Sequence, residues 1–228
     1  KLSPNHSGQR THSIDRITPH CVVGQCSVET LGNVFLPKFR QASSNYGIGV
    51  DGRVGMYVEE KNRSWCSSSA SNDQRAVTIE CASDSKAPYA FKDVVYNKLI
   101  ELCTDICKRN GKTRLLWLGD KDKTLGYTPA PDEMVLTVHR WFANKSCPGD
   151  WMYARMGDLA EKVTAALGGQ TQAPLDNAPA AWSKDAVNWA LENRLLLGDA
   201  NGDLKLWENL TREQFCVMLK RYHDLLQK

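Results

Sequence analysis

Residues Leu136–Asp150 read LTVHRWFANKSCPGD and place His139, Lys145 and Cys147 within nine residues, closed by Pro148-Gly149. An imidazole at a strand end, followed eight residues later by a thiol in a rigid turn, brings two metal ligands from one loop to one ion. The reading turns on partners from elsewhere in the chain. RITPHC (16–21), AVTIEC (76–81) and VLTVHR (135–140) share one pattern: Thr18-x-His20, Thr78-x-Glu80 and Thr137-x-His139. Side chains alternate between the faces of a sheet, so Thr18 and His20 share one face while Ile17 and Pro19 share the other, and Thr78 and Glu80 separate likewise from Val77 and Ile79. His20, Glu80 and His139 are therefore expected to point into one polar cleft, with helices covering the apolar face.

The chain around these segments has 228 residues, 42% of them apolar, which allows one domain of about 150 to 170 residues and a small second one. Net charge is +4 over residues 1–174 and −1 over the rest. That is too mild for a nucleic-acid footprint and suits an anionic polymer such as cell wall. No apolar run reaches the roughly 18 residues of a membrane span, and no signal-peptide core stands at the N-terminus, so a soluble chain without a membrane partner is expected. The sequence begins with Lys1 rather than Met, so an upstream residue or segment is expected and export stays open. Eight irregularly spaced cysteines resemble reduced thiols more than a disulfide scaffold; Cys103 and Cys107, on an apolar helical stripe, read as small buried hydrophobes.

Strands and helices alternate. A strand is expected over 14–23, a helix over 28–40 capped by Ser27, and a hairpin in NYGIGVDGRVGMYV (45–58) with Asp51-Gly52 supplying positive φ angles. A polar loop over 61–74 leads into AVTIEC. Val95, Leu99, Leu102 and Ile106 mark a helix ended by Gly111, and DWMYARMGDLAEKVTAAL (150–167), capped by Asp150, marks another. The fold class is α/β, a central mixed β-sheet flanked by helices. Residues 168–180, rich in Gly, Pro, Gln and Ala, read as a linker, and 181–228 as a small all-α module whose Thr211–Gln214 has the form of a capping box.

His20, His139 and Cys147 would form a three-ligand zinc site with water in the fourth position, the arrangement of a catalytic rather than a structural zinc. Such a site hydrolyses amides. A Cys/His nucleophile pair of Cys147 with His139 is the rival chemistry, but it leaves His20 unexplained.

On these residues, 1–167 resemble the type-2 N-acetylmuramoyl-L-alanine amidases, the zinc fold shared by phage lysins and animal peptidoglycan-recognition proteins. The matching pieces are His20-Cys21, Tyr46 in NYGIG, Glu80 in VTIE, and His139 with Lys145-Ser146-Cys147-Pro148. Many relatives carry His-Ala-Gly after the tryptophan, whereas Trp65 here precedes Cys66-Ser67-Ser68. The resemblance implies that His20, His139 and Cys147 hold one catalytic Zn2+, that Tyr46 and Lys145 flank the scissile carbonyl, and that Trp65, Ser67 and Asn72 contact substrate. Glu80 is implied either as general base or as support orienting a ligand histidine. The implied substrate is peptidoglycan, cut between N-acetylmuramic acid and L-alanine. Retention of Cys147 favours catalysis over a peptidoglycan-binding protein without turnover.

Residues 181–228 resemble one S-layer homology module through Trp189-Ala190, Gly198-Asp199 and Thr211-Arg212-Glu213, with Leu204-Lys205-Leu206-Trp207 where a Phe-x-Pro is usual. That resemblance implies binding to a secondary cell-wall polymer, or self-association. Asp199, Asn201 and Asp203 read as a capped turn rather than a calcium loop, since the spacing fails the EF-hand pattern. Together these readings describe a phage or prophage lysin held in the host cytoplasm until lysis, with an exported autolysin of the same chemistry as the rival.

Overall fold

The computed structural model describes residues 1–168, 177–198, 202–206 and 210–227, and the chain divides into two compact units, Lys1–Thr171 and Gln172–Lys228. The first unit runs β1 (His6–Gln9), β2 (Arg16–Cys21), α1 (Val28–Phe35), β3 (Tyr46–Ile48), β4 (Val54–Met56), β5 (Asn62–Ser64), α2 (Ala70–Arg75), β6 (Ala76–Cys81), α3 (Asp93–Arg109), β7 (Arg114–Leu116), α4 (Lys121–Gly126), β8 (Glu133–Leu136), α5 (Asp150–Tyr153) and α6 (Met156–Ala166). Six strands form a mixed sheet in the order β4-β3-β6-β2-β8-β7, parallel throughout except for β4 at the edge. The expected mixed sheet flanked by helices is the fold observed.

The sheet's two faces differ in chemistry, as the alternation in the sequence requires. Ile17, Val77, Ile79, Leu136 and Val138 enter the apolar core together with Val95, Leu99 and Ile106 of α3 and Leu159 and Val163 of α6. The spacing of those helical residues sets one stripe of each helix against the sheet, so burial of apolar area is the main force joining the layers. Cys103 and Cys107 lie on that stripe, buried as expected.

On the other face the strands present threonines, and these are joined by hydrogen bonds. Thr18 Oγ1 and Thr137 Oγ1 are 2.7 Å apart, and both meet the Asn72 amide at 3.1 Å. Asn45 holds β6 to the loops beside it: its Oδ1 accepts from Thr78 N (3.1 Å) while its Nδ2 donates to the carbonyls of Val58 and Asn62 (3.2 and 3.3 Å).

Several boundaries depart from expectation for local reasons. The first strand is shorter than 14–23, ending at Cys21. The helix expected over 28–40 stops at Phe35, just before Pro37, which starts a separate 3-10 turn at 38–40. Helix 150–167 is two pieces, α5 and α6, and its start is capped by Gly149 rather than Asp150, whose carboxylate pairs with Arg140 Nη2 at 2.9 Å. Gly149 has φ +85°, and a Cβ there would stand 2.8 Å from the Pro88 carbonyl, so both conformation and space require glycine. Of Asp51-Gly52, only Gly52 has positive φ, in a five-residue hairpin loop. Five elements were not expected: β1 and β5, which pair antiparallel with each other, α2, which like β5 lies inside the polar loop, β7 at the edge of the sheet, and α4.

Among the described residues of the second unit, α7 (Lys184–Glu192) and α8 (Arg212–Leu226) are the helices. The capping box is present at α8: Gln214 N donates to Thr211 Oγ1 (3.1 Å) and Thr211 N to Gln214 Oε1 (2.8 Å). Leu195 is the one buried apolar side chain among this unit's described residues. Residues 169–176 of the expected linker, and Asp199, Asn201 and Trp207, lie outside the described residues. Among those described, no helix is long and apolar enough to cross a membrane.

Candidate active site

In the parallel pair of β2 and β6, Thr18 lies beside Thr78 and His20 beside Glu80. Register alone therefore sets the imidazole next to the carboxylate at the carboxyl ends of the two central strands. His139 arrives differently. The strand β8 ends at Leu136, earlier than the sequence suggested, and His139 opens a 3-10 turn. Val138 is still extended and fully buried in the core, so the alternation continues and His139 faces the same side as Thr137. The two histidine rings meet edge to face with centroids 5.1 Å apart.

Cys147 completes the group. Its Sγ lies 3.3 Å from His20 Nδ1, and its carbonyl accepts from Arg140 N at 3.1 Å, which folds the loop back onto its own start. One donor atom from each of His20, His139 and Cys147 lies within 4.8 Å of the others. The residues fit a metal ion. Burial, and then the neighbouring His139, hold His20 well below the usual histidine range, and burial with Lys145 lowers His139. Both rings are thus neutral and able to donate a lone pair. Ser68 Oγ sits 2.9 Å from His139 Nε2, leaving Nδ1 of that ring for a metal, while His20 Nε2 is buried without any hydrogen-bond partner. A hydrogen bond with Cys21, burial and the charge of Glu80 raise the Cys147 thiol well above its ordinary range, a shift that a bound cation opposes.

Glu80 stands behind this group. Its Oε2 is buried and unpartnered, and burial raises its pKa from 4.5 to about 7 against the smaller opposing effects of Cys66 and Arg40. A carboxyl group poised near neutrality beside a metal-ligand cluster can exchange protons at working pH. Beside it lies an open groove of about 470 Å³, whose lining includes Arg40, Arg63, Trp65, Glu80, His139 and Lys145.

Three expected site residues are placed elsewhere. Tyr46 pairs with Ile79, not Glu80, in the β3–β6 register, so it shares the core-facing side, and its ring packs against the main core. Burial first, then Glu60, push its hydroxyl up to about 12; the phenol faces Glu60 and Arg109 instead of a substrate carbonyl. Ser67 and Asn72 are fully buried. Asn72 bridges Thr18, Thr137 and Ser67 (3.1, 3.1 and 3.3 Å), which makes it a brace beneath the site and not a substrate contact. Trp65 does line the groove, with its Nε1 donating to Ser7 Oγ at 2.6 Å.

The residues missed are Cys66, Ser68 and Asp73. The Asp73 carboxylate accepts from the backbone N–H groups of Cys66 (3.0 Å) and Ser67 (3.2 Å), fixing the turn that brings Cys66 Sγ to 3.7 Å from Glu80 Oε1 and Ser68 to His139. A carboxylate just past a run of small polar residues is the signal that such a turn leaves in a sequence.

Residues 9–150 match the sequence profile of N-acetylmuramoyl-L-alanine amidase, and the chain belongs to that family. The enzyme activity and the peptidoglycan substrate expected from the sequence follow from that membership. No curated protein matches the chain. Among solved structures, PlyL is similar at 14% identity and a TM-score of 0.50 over 71% of this chain and 92% of that one. An AmpD derivative is similar at 16% identity and TM-score 0.49 over 70% and 92%. The N-acetylmuramoyl-L-alanine amidase LysC from Clostridium intestinale URNW is similar at 13% and 0.46 over 75% and 99%.

Proposed function

We propose that the protein is a zinc-dependent hydrolase cleaving the amide between N-acetylmuramic acid and the L-alanine of the stem peptide, and that it is a phage or prophage lysin. The observation carrying the zinc is the convergence of three donors, two neutral imidazoles and a thiol, within 4.8 Å beside the groove. His20, His139 and Cys147 would hold the ion; when bound, zinc supplies a Lewis acid and lowers the pKa of water.

The remaining steps belong to the chain. The stem peptide lies along the groove past Trp65, and the exposed ammonium of Lys145 meets the oxyanion that develops on the carbonyl. Glu80 accepts a proton from the attacking water as its oxygen bonds to the carbonyl carbon. The carbon–nitrogen bond then breaks, and the proton held at Glu80 passes to the alanine nitrogen, leaving a carboxylic acid on the muramic acid and a free amine on the peptide. Ser68 keeps His139 in one tautomer throughout. All eight cysteines are free, which suits a protein stored in a reducing host cytoplasm until lysis.

The test is a digest of purified cell wall by zinc-loaded protein with mass spectrometry of the soluble products. Stem peptides beginning with L-alanine, without new reducing sugar ends and absent with Cys147→Ser, are the expected result. Wall binding without peptide release would overturn it in favour of a binding protein.

For residues 181–228 we propose an S-layer-homology-like module that anchors the enzyme to a secondary cell-wall polymer. Support comes from apolar side chains left outward on α8, Phe215 at 52% and Leu219 at 50% exposure. In the full chain, Phe215→Ser with Leu219→Ser should reduce pelleting with intact wall. A change in oligomeric state with pelleting unaltered would assign the face to self-association instead.

A further inference from the structure

Cys66 is unaccounted for by the amidase reaction. Its thiol and Glu80 lie with a ring nitrogen of His20 in a second group of three donors, again all within 4.8 Å of one another. This group shares only His20 with the first and is termed inner because Glu80, like His20, stands on a central strand, whereas His139 and Cys147 lie on the loop after β8. The Cys66–Glu80 contact at 3.7 Å occupies Glu80 Oε1 but leaves Glu80 Oε2 and His20 Nε2 buried with no partner. His20 is 1% exposed. Two orphaned buried atoms of this kind are costly unless something satisfies them. Imidazole, thiolate and carboxylate together are a donor set for a soft divalent cation of the zinc and cadmium class.

We propose that His20, Cys66 and Glu80 form a second cation niche, an inner position that competes with the His20–His139–Cys147 position for the same imidazole. A neutral imidazole has one nitrogen with a free lone pair. With the lone pair on Nδ1, which lies 3.3 Å from Cys147 Sγ, the ring serves the outer position; with it on Nε2, the atom left without a partner, the ring is open to the inner one. A cation in the inner niche engages Glu80 directly, so the niche is an inhibitory position: metal held there removes the proton acceptor. Excess zinc therefore inhibits the enzyme, and Cys66 sets how strongly.

The niche is tested without reference to amidase activity, so its failure is distinct from failure of the lysin reading. On a His139→Ala/Cys147→Ser background, which lacks two outer ligands, cadmium is titrated into the full chain while the ultraviolet thiolate-to-cadmium band is followed. The expected result is one cadmium per chain, with affinity falling at least about 100-fold when Cys66→Ser is added, beyond the 10–100-fold scale of groups that merely support a ligand. Equal affinity with and without Cys66→Ser overturns the niche and leaves water as the partner of the two orphaned atoms. If the double background does not fold by circular dichroism, His139→Ala alone replaces it, with alkylation of Cys66 mapped by mass spectrometry. Protection of Cys66 by cadmium supports the niche, and an unchanged alkylation rate refutes it.

Discussion

His20 and His139 end 5.1 Å apart, ring to ring, yet they are held by different means. The first sits on a central strand, 1% exposed, and its position beside Glu80 follows from a six-residue parallel register. The second, with Lys145 and Cys147, lies on a loop whose shape depends on a few contacts: Val138 in the core, the Ser68 hydroxyl, and Arg140 reaching back to Cys147 and Asp150. Sheet register places groups rigidly because shifting it would turn every side chain to the wrong face. The loop half is cheaper to move. The strand half is therefore expected to carry stability and function together, and the loop half mainly function.

The widest separation should come from His20→Ala against Cys147→Ser. Each removes a metal ligand, and losing several kcal/mol of Lewis-acid stabilisation predicts a fall of about 10³-fold or more in peptide release. Their effects on the metal-free fold should differ. His20→Ala opens a hole in a buried strand and should cost roughly 2 kcal/mol in urea unfolding of chelator-treated protein, whereas Cys147→Ser, nearly isosteric on a loop, should stay within about 1 kcal/mol. Equal losses of stability would break the comparison.

Glu80→Gln comes next, with opposite signs for function and stability. Peptide release should fall about 10²-fold or more. The folded carboxyl titrates at about 7 instead of 4.5, so below pH 4.5 it is protonated in both folded and unfolded chains and contributes nothing. Between pH 4.5 and 7 the unfolded chain ionises while burial keeps the folded carboxyl protonated, so stability falls across that window and levels off above 7, by at most about 3 kcal/mol. Metal-free Glu80→Gln should therefore gain on the native protein between pH 5 and pH 8. A pH-independent difference in urea midpoints would show that the buried Oε2 does not resist charge.

Ser68→Ala tests the loop half more gently. Loss of its 2.9 Å contact frees the His139 tautomer and should weaken zinc binding about 10-fold, read by competition with a chromophoric chelator, with little change in the unfolding midpoint.

The same division explains what the sequence discloses. The Thr-x-His and Thr-x-Glu spacings were readable because a period of two needs no partner to predict which residues share a face. Likewise Val95, Leu99, Leu102 and Ile106 announce a buried helical stripe by themselves. Tyr46 was not readable, because its orientation depends on pairing with Ile79 across strands distant in the chain. Ser67 and Asn72 look like groove residues until the folded chain places them beneath it, and β1 is defined only by a partner more than fifty residues away. Cys66 stands where a relative's histidine was expected, and only the folded site shows that it meets Glu80.

The smallest effect should come from Asp150→Asn, which sharpens the comparison from below. The Arg140 side chain makes three attachments: to the Ser146 carbonyl, to Asp150 at 2.9 Å, and over the Tyr153 ring at 4.6 Å. The Asp150 side chain is 78% exposed, so its ion pair is screened by water and worth between nothing and about 1 kcal/mol. Removing that charge should leave the thermal midpoint and peptide release nearly unchanged at physiological salt. Arg140→Ala loses all three attachments, and with them the restraint on the loop between His139 and Cys147. It should lower zinc affinity more than it lowers the unfolding midpoint, since what it loosens is a ligand-bearing loop and not the sheet. If Asp150→Asn alone reproduced the Arg140→Ala loss of zinc affinity, the exposed ion pair would be the tie that holds Cys147 in place, and the ring and carbonyl contacts would be incidental.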